Sequence, residues 1–316
     1  MHQIGLKMSA NRELLIGIGK QNIASGLACG AFDSENRCMK NTRTFFITGV
    51  SSGFGRAIAN AALHAGHRVV GTVRSAQAAA ESKAQTGQQA HMKLLDVTQF
   101  DAVAPLAAAI EAEHGPVDVV INNAGYGHEG ILEESSLDEM RRQFDVNVFG
   151  AVAVMKAFLP FMRQRRRGHI VNITSMGGYI TMPGISYYCG SKFALEGISE
   201  TLAQEVKGFG IAVTAVAPGS FRTDWAGRSM VRSARSIGDY DSLFDPIRQS
   251  RVDKSGKQLG DPGKAAAAIL ALVDMPQPPQ HLLLGSDALG LVRAKLDAMQ
   301  ASLTSHEALT RSTDVA

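Results

Sequence analysis

Cysteine, tryptophan and long apolar runs are scarce in this 316-residue chain, and each scarcity excludes something. Three cysteines, Cys29, Cys38 and Cys189, show neither a paired framework nor metal-ligand spacing, which suits a reducing compartment and predicts a cytoplasmic protein without a metal site. No apolar run approaches the roughly 18 residues that a membrane-spanning helix needs, the longest candidates being broken by Lys156 and Pro160 or stopping at Asp274, so no membrane partner is expected. Net charge is small, +3 from 32 Lys and Arg against 29 Asp and Glu. The basic run Arg163-Gln164-Arg165-Arg166-Arg167 has no basic or aromatic echo elsewhere; it reads as a solvated helix end, and nucleic acid is not an expected partner. One further absence is local: between Glu35 and Glu81 there is no Asp or Glu at all.

Apolar residues make up 45% of the chain, ample for a core. From Thr44 onward, short β-branched or apolar runs alternate with alanine-rich helical stretches. Phe45 to Ile47, His67 to Val73, Met92 to Leu95, Val117 to Ile121, His169 to Thr174, Ile211 to Val216 and His281 to Leu284 read as seven strands apolar on both faces. Right-handed crossovers through the intervening helices predict one doubly wound α/β domain, a parallel sheet covered on both sides, from about residue 41 to the C-terminus. The first forty residues differ in character and read as an extension, disordered or an artefact of the start site, with translation expected to begin at Met39; Leu14 to Phe32 is too interrupted for a signal peptide.

The first strand runs into Thr48-Gly49-Val50-Ser51-Ser52-Gly53-Phe54-Gly55-Arg56, with a helix beginning near Ala57. Glycines at a strand-to-helix turn let the backbone approach a pyrophosphate, and the helix N-terminus supplies amide donors, so a dinucleotide site is predicted here. The second strand ends at Arg74, where an NAD site would carry an acidic residue on the ribose; an arginine without a nearby carboxylate suits a 2′-phosphate. NADP(H) is the expected cofactor, ahead of NAD(H), with Arg74 on the phosphate and Arg56 as helper. Asp96 has two compatible readings, contact with the adenine edge and capping of the following helix. Asn122-Asn123-Ala124-Gly125 ends the fourth strand at the carboxyl edge of the sheet, either as a ligand-binding turn or as a plain Asn/Gly turn. Asn147, inside the apolar stretch Phe144 to Phe149, predicts either surface exposure or a break in helical bonding.

Ser186 to Lys192 opens a helical run continuing to Lys207. On a helix Tyr188 and Lys192 lie about 40° apart and Tyr187 and Lys192 about 140°, so Tyr188 is the tyrosine paired with the ammonium and Tyr187 a packing residue. A nearby ammonium is expected to lower the phenol pKa and make the pair an acid/base. Ser175, at the end of the fifth strand, could hold a substrate oxygen or be merely structural.

In this order, Thr48, Gly49, Gly53 and Gly55, Asp96, Asn122 to Gly125, Asn147, Ser175, Tyr188 with Lys192, and Pro218-Gly219 with Thr223 resemble the short-chain dehydrogenase/reductase family, over roughly Thr44 to His281. Ile47 to Gly55, Tyr126-Gly127 and Val146 to Gly150 look most like its 17β-hydroxysteroid dehydrogenase-like branch. The resemblance implies a Rossmann fold and a carbonyl/alcohol oxidoreductase. It gives Ser175 the substrate oxygen, Tyr188 the proton, Lys192 the tuning of Tyr188 and the nicotinamide ribose, and Asn147 a water linking Lys192 to solvent. Pro218, Gly219 and Thr223 would fix the carboxamide. A catalytically idle redox sensor of the same fold is the alternative.

Residues about 220–262, with Phe221, Trp225, Met230, Tyr240, Leu243 and Phe244 among polar residues, read as a lid that lines an apolar pocket with Tyr126, Met176, Tyr179 and Met182. His128 is expected to be incidental, and Cys189 a spacer. The apolar faces of Phe144 to Phe161 and Phe193 to Val206 suit a homodimer or homotetramer.

Overall fold

The computed structural model describes residues 42–86, 90–227 and 229–315. The expected extension, its proposed start at Met39, and Cys29 and Cys38 lie outside them. In chain order the elements are β1 (Thr44–Ile47), α1 (Gly53–His64), β2 (Arg68–Val73), α2 (Ala76–Thr86), β3 (Ala90–Leu94), α3 (Phe100–His114), β4 (Val119–Asn122) and β5 (Gly127–Glu129). There follow α4 (Leu137–Phe144), α5 (Gly150–Arg165), β6 (Gly168–Ile173), α6 (Ser186–Val206), β7 (Ile211–Pro218), β8 (Met230–Arg232), α7 (Asp241–Asp253), α8 (Pro262–Val273), β9 (His281–Leu284), α9 (Ser286–Ser305) and α10 (Glu307–Arg311).

Seven strands form one parallel sheet in the order β3-β2-β1-β4-β6-β7-β9, the doubly wound arrangement expected from their apolar character. The order reverses beside β1, which opens a crevice at the carboxyl ends of β1 and β4. Phe45 and Ile47 face a core with Ile58, Ala266 and Ile269 of α1 and α8, while Phe46 faces Val154, Phe158 and Met162 of α5 on the other side. Alternation along a single strand thus supplies both layers. A second, two-stranded parallel sheet of β5 and β8 was not foreseen.

Helix α1 starts at Gly53, inside the glycine turn, rather than near Ala57. The basic run ends α5 and is solvated as expected at Arg163, Gln164, Arg166 and Arg167; Arg165 alone is drawn in. Arg165 bonds both Glu111 oxygens at 3.0 Å, Arg166 caps α5 in the left-handed region at φ 58°, and Arg167 reaches Asp118 at 3.7 Å. The stretch Leu137–Arg165, unbroken as a helix through a π turn at Asp145–Phe149, is long and apolar enough to cross a membrane by length and composition. Here Val154, Phe158 and Met162 on one of its faces are buried against the sheet.

Candidate active site

The turn after β1 is built from Thr48. Its buried Oγ1 accepts from the Asn123 and Ala124 amides, both at 3.0 Å, tying the β1 turn to the β4 turn. Asn123 returns the bond, its Nδ2 donating to Thr48 O at 2.9 Å and Gly49 O at 3.0 Å. A Cβ on Gly55 would stand 2.2 Å from Gly49 O and 2.4 Å from Asn123 Nδ2, so only glycine lets α1 begin this close to the turn. Gly49 sits at φ +73°. Asn122, by contrast, is structural: its side chain donates to Asn172 at 2.8 Å inside the sheet.

This cradle forms one end of a cavity of about 1370 Å³ lined there by Gly49, Ser51, Ser52, Gly53, Phe54 and Arg74, and further along by Asn123, Ala124 and Gly125. That volume exceeds the ~300–1,000 Å³ of an ordinary small-molecule pocket. Asp96 does not cap α3, whose N-cap is Gln99; its Oδ1 closes a turn by accepting from Thr98 N at 3.0 Å and Thr98 Oγ1 at 2.7 Å, and the residue lines the cavity, the place the adenine-edge reading requires. The Thr98 amide holds its carboxyl below the ordinary range, with the charge of Arg74 adding to that. Arg56 faces elsewhere, into a separate cleft with Arg222. Glu81, which ends the acid-free stretch, also reaches the cavity wall, bonded by Gln77 at 2.9 Å.

The middle of the cavity carries Ser175, Tyr188 and Lys192, with Pro218, Gly219 and Thr223 opposite. Ser175 Oγ accepts from Gly177 N at 3.0 Å, which leaves its proton for Tyr188. Lys192 Nζ donates to Ile173 O at 2.9 Å and stands 5.8 Å from the Tyr188 ring centre. Both side chains are buried, and burial decides their acidity. It pulls Lys192 down to about 8, against the opposing charge of Glu196. It pushes the Tyr188 phenol well above its ordinary value of 10; the Ser175 hydroxyl opposes the shift, as does the Trp225 N–H, although Trp225 Nε1 lies outside hydrogen-bonding geometry. The expected lowering by the ammonium is therefore corrected: the ammonium is turned to a carbonyl, and desolvation outweighs it.

Asn147 is 1% exposed and occupies the π turn, the break in helical bonding foreseen as one of two readings. Its Oδ1 accepts from Tyr126 N at 3.1 Å, and its Nδ2 donates to Tyr126 O and Ser191 Oγ, each at 3.1 Å. Asn147 thus holds the Gly125-Tyr126 wall from behind and is absent from the cavity lining.

Tyr126, Met176, Met182, Phe221 and Trp225 line the cavity as expected, Phe221 against Phe54 of the cradle at 5.1 Å, and five expected lining residues do not. The Tyr179 hydroxyl reaches Glu196 at 2.9 Å and His281 at 2.7 Å; Met230 lies over Gly127; Phe244 is buried under Arg235. The Tyr240 hydroxyl donates to Glu133 at 2.7 Å, and Leu243 is exposed. Tyr187 packs, its hydroxyl on Ser135 O at 2.8 Å. His128 is not incidental: it is buried beside Ser233 at 3.0 Å, stacks on Tyr187, and lines the cavity. Arg251 and Lys254 of the lining carried no signal in the sequence, because a basic pair at a helix end looks the same on any surface. Among the described residues no three His, Cys, Asp or Glu side chains gather as metal ligands would.

The short chain dehydrogenase family model matches residues 43–232. The chain is 38% identical over 241 residues to a 3-ketodihydrosphingosine reductase of Bacteroides thetaiotaomicron, covering 76% of this chain and 86% of that one. A short-chain dehydrogenase of known structure from Streptomyces avermitilis superposes with a TM-score of 0.80 at 42% identity, over 87% of this chain and 100% of the other. The closed form of a serine dehydrogenase complexed with NADP+ matches with a TM-score of 0.66 at 25% identity, over 76% and 94%. With the glycine cradle, the large cavity and the Ser175-Tyr188-Lys192 wall in one crevice, the chain belongs to the short-chain dehydrogenase family and is an NAD(P)-dependent oxidoreductase acting on CH–OH donors.

Proposed function

We propose that this protein interconverts a carbonyl compound and its alcohol with NADP(H), using Tyr188 as the general acid/base. The observation that carries the reading is the placement of Ser175 and Tyr188 together on the wall of one continuous cavity, between the glycine cradle and an apolar end. The cradle fits a dinucleotide because Gly55 and Gly49 let the start of α1 and the β1 turn close up against each other and against Asn123 and Ala124, and the first turn of α1 offers amides to a pyrophosphate. Arg74 on the cavity wall directly after β2 supports the phosphorylated cofactor, as does the NADP+ complex of the serine dehydrogenase. Bound there, NADP(H) supplies or accepts the hydride.

The chain's own residues do the rest. Ser175 donates to the oxygen of the substrate and holds it against Tyr188. Burial keeps Tyr188 protonated at neutral pH, ready to donate a proton to a forming alkoxide. Lys192, charged below about pH 8, supports the phenolate that follows. Trp225, 5.0 Å from the Tyr188 ring, keeps water from the phenol. Residues 220–262 act as the cover of the substrate end, and Phe149 and Phe193, 53% and 41% exposed, suit pairing between copies.

Tyr188→Phe tests the reading: NADPH oxidation with a carbonyl panel should fall by roughly 10²–10⁴-fold while NADPH binding is retained. Full activity in that variant would refute the role of Tyr188, and NADPH binding without turnover of any carbonyl in the wild type would favour the redox-sensor alternative.

A further inference from the structure

Beyond Trp225 the cavity is apolar, walled by Met182, Pro183, Ile185 and Ile247, and then meets Arg251 and Lys254. These two lie on α7 and its C-cap, three residues apart and so on one side of the helix. Behind them several cations meet one buried carboxylate. Glu129, 1% exposed in β5, is shared by Arg232 at 2.9 Å, Arg248 at 3.4 Å and Arg251 at 3.2 Å, three guanidinium groups on one carboxylate. The other acids of α7 are engaged elsewhere: Asp241 and Asp245 hold Arg235 together with Glu134, and Asp253 accepts from Gln249 at 2.8 Å. Lys254, on the cavity wall, makes no side-chain hydrogen bond or ion pair among the described residues.

Resting on the reading of Tyr188 as the reacting end, we propose that the substrate is amphiphilic, with an apolar body along Met182, Ile185, Trp225 and Ile247 and an anionic far end, a carboxylate or phosphate, seated on Arg251 and Lys254. Arg251 and Lys254 offer that end two cations on one wall of the cavity. Arg251 is fixed for that role because Glu129 and the Pro183 carbonyl hold its guanidinium in place, so little side-chain freedom is lost when an anion arrives. Lys254 is the adjustable partner, a compact charge on a flexible stem. A neutral ketone of the same length would fill the apolar wall without answering the charge, and an ammonium there would be repelled.

Trp225 is the chain's only tryptophan and lines the same cavity, so its fluorescence reports occupancy without turnover. A straight-chain oxo fatty acid, its methyl ester, the alkyl phosphate and the alkylamine of the same length are titrated against the NADPH-bound protein. The acid and the phosphate should bind about tenfold more tightly than the ester, with the amine weakest. Comparing acid with phosphate names the preferred head. In Lys254→Ala, whose side chain has no partner to lose, the preference for the acid should fall towards unity with ester binding retained, and Arg251→Gln should act the same way. Equal binding of acid and ester, a preference that survives both substitutions, or no quenching by any of the four overturns the proposal. Loss of the reductase reading looks different: the acid would still bind selectively, but NADPH would not be oxidised.

Discussion

Lys192 and Tyr188 lie one helical turn apart, yet the ammonium donates to the Ile173 carbonyl at 2.9 Å and keeps 5.8 Å from the centre of the phenol ring. Its charge therefore acts on the phenol through space. Burial brings its pKa down to about 8, and the Glu196 carboxylate resists that fall. Turnover that needs the ammonium declines above about pH 8 in the wild type. In Glu196→Gln the opposing charge is gone, so the decline should begin at a pH lower by on the order of one unit. A pH profile of kcat for both proteins measures this, and coincident basic limbs would remove Glu196 from the account.

Arg74 should decide the cofactor. Arg74→Ala removes the cation at the end of β2 and is expected to weaken NADPH binding by roughly 10–100-fold while leaving NADH nearly unchanged, since a charge-assisted phosphate contact is worth about 1.5–3 kcal/mol. Isothermal titration with both cofactors checks it. Equal losses for the two would mean that Arg74 meets something other than the 2′-phosphate.

Two glycines in helices make opposite forecasts. At Gly55 an added Cβ would collide with Gly49 O at 2.2 Å, so Gly55→Ala should cost roughly 3 kcal/mol or the cofactor site itself. At Gly197, exposed in α6 with nothing within 4 Å, alanine should raise stability by about 1 kcal/mol. Urea unfolding of both variants, with NADPH binding for Gly55→Ala, provides the comparison.

His169 sets an acid limit. Burial, helped by the charge of Arg43, lowers its pKa from 6.5 to about 4, so the folded chain carries it neutral with Nε2 against Thr214 Oγ1 at 3.0 Å. Between those two values the unfolded chain binds a proton that the folded chain does not. The stabilisation is complete above pH 6.5 and is lost as pH falls towards 4, a swing of about 3 kcal/mol at most. His169→Gln should flatten the fall in stability over that interval, and an unchanged slope would assign the acid sensitivity to other groups.

The seven sheet strands were legible because buried parallel strands must be apolar on both faces, and β1, β6 and β7 are nearly continuous runs of that kind. The small sheet was not, because Gly127-His128-Glu129 and Met230-Val231-Arg232 are too short to show a period and pair across about a hundred residues. At the site, helical spacing distinguished Tyr188 from Tyr187, and the glycine spacing announced the cradle. What spacing cannot carry is the depth of a side chain. The direction of the Tyr188 shift follows from burial, and so does the retreat of Phe244 and Tyr179 from the cavity, where Arg235, Glu196 and His281 offered them better partners. Asn147 was located by its polarity in an apolar stretch, while its bonds to Tyr126 depend on a π turn that no local pattern foretells.

The turn after β7 is held from beyond the span that the family model matches. Gly219 N donates to Leu284 O at 2.8 Å, Ser220 N donates to Asp287 Oδ2 at 2.8 Å, and Gly219 has no room for a Cβ because Asp287 Oδ1 would be 2.3 Å away. A chain shortened before Asp287, by proteolysis or by choice of expression boundary, would keep every motif by which the family is recognised and still lose the brace under its cavity floor. Boundaries for truncation, tagging or domain grafting in this protein are therefore set by Asp287, well past the last signature residue.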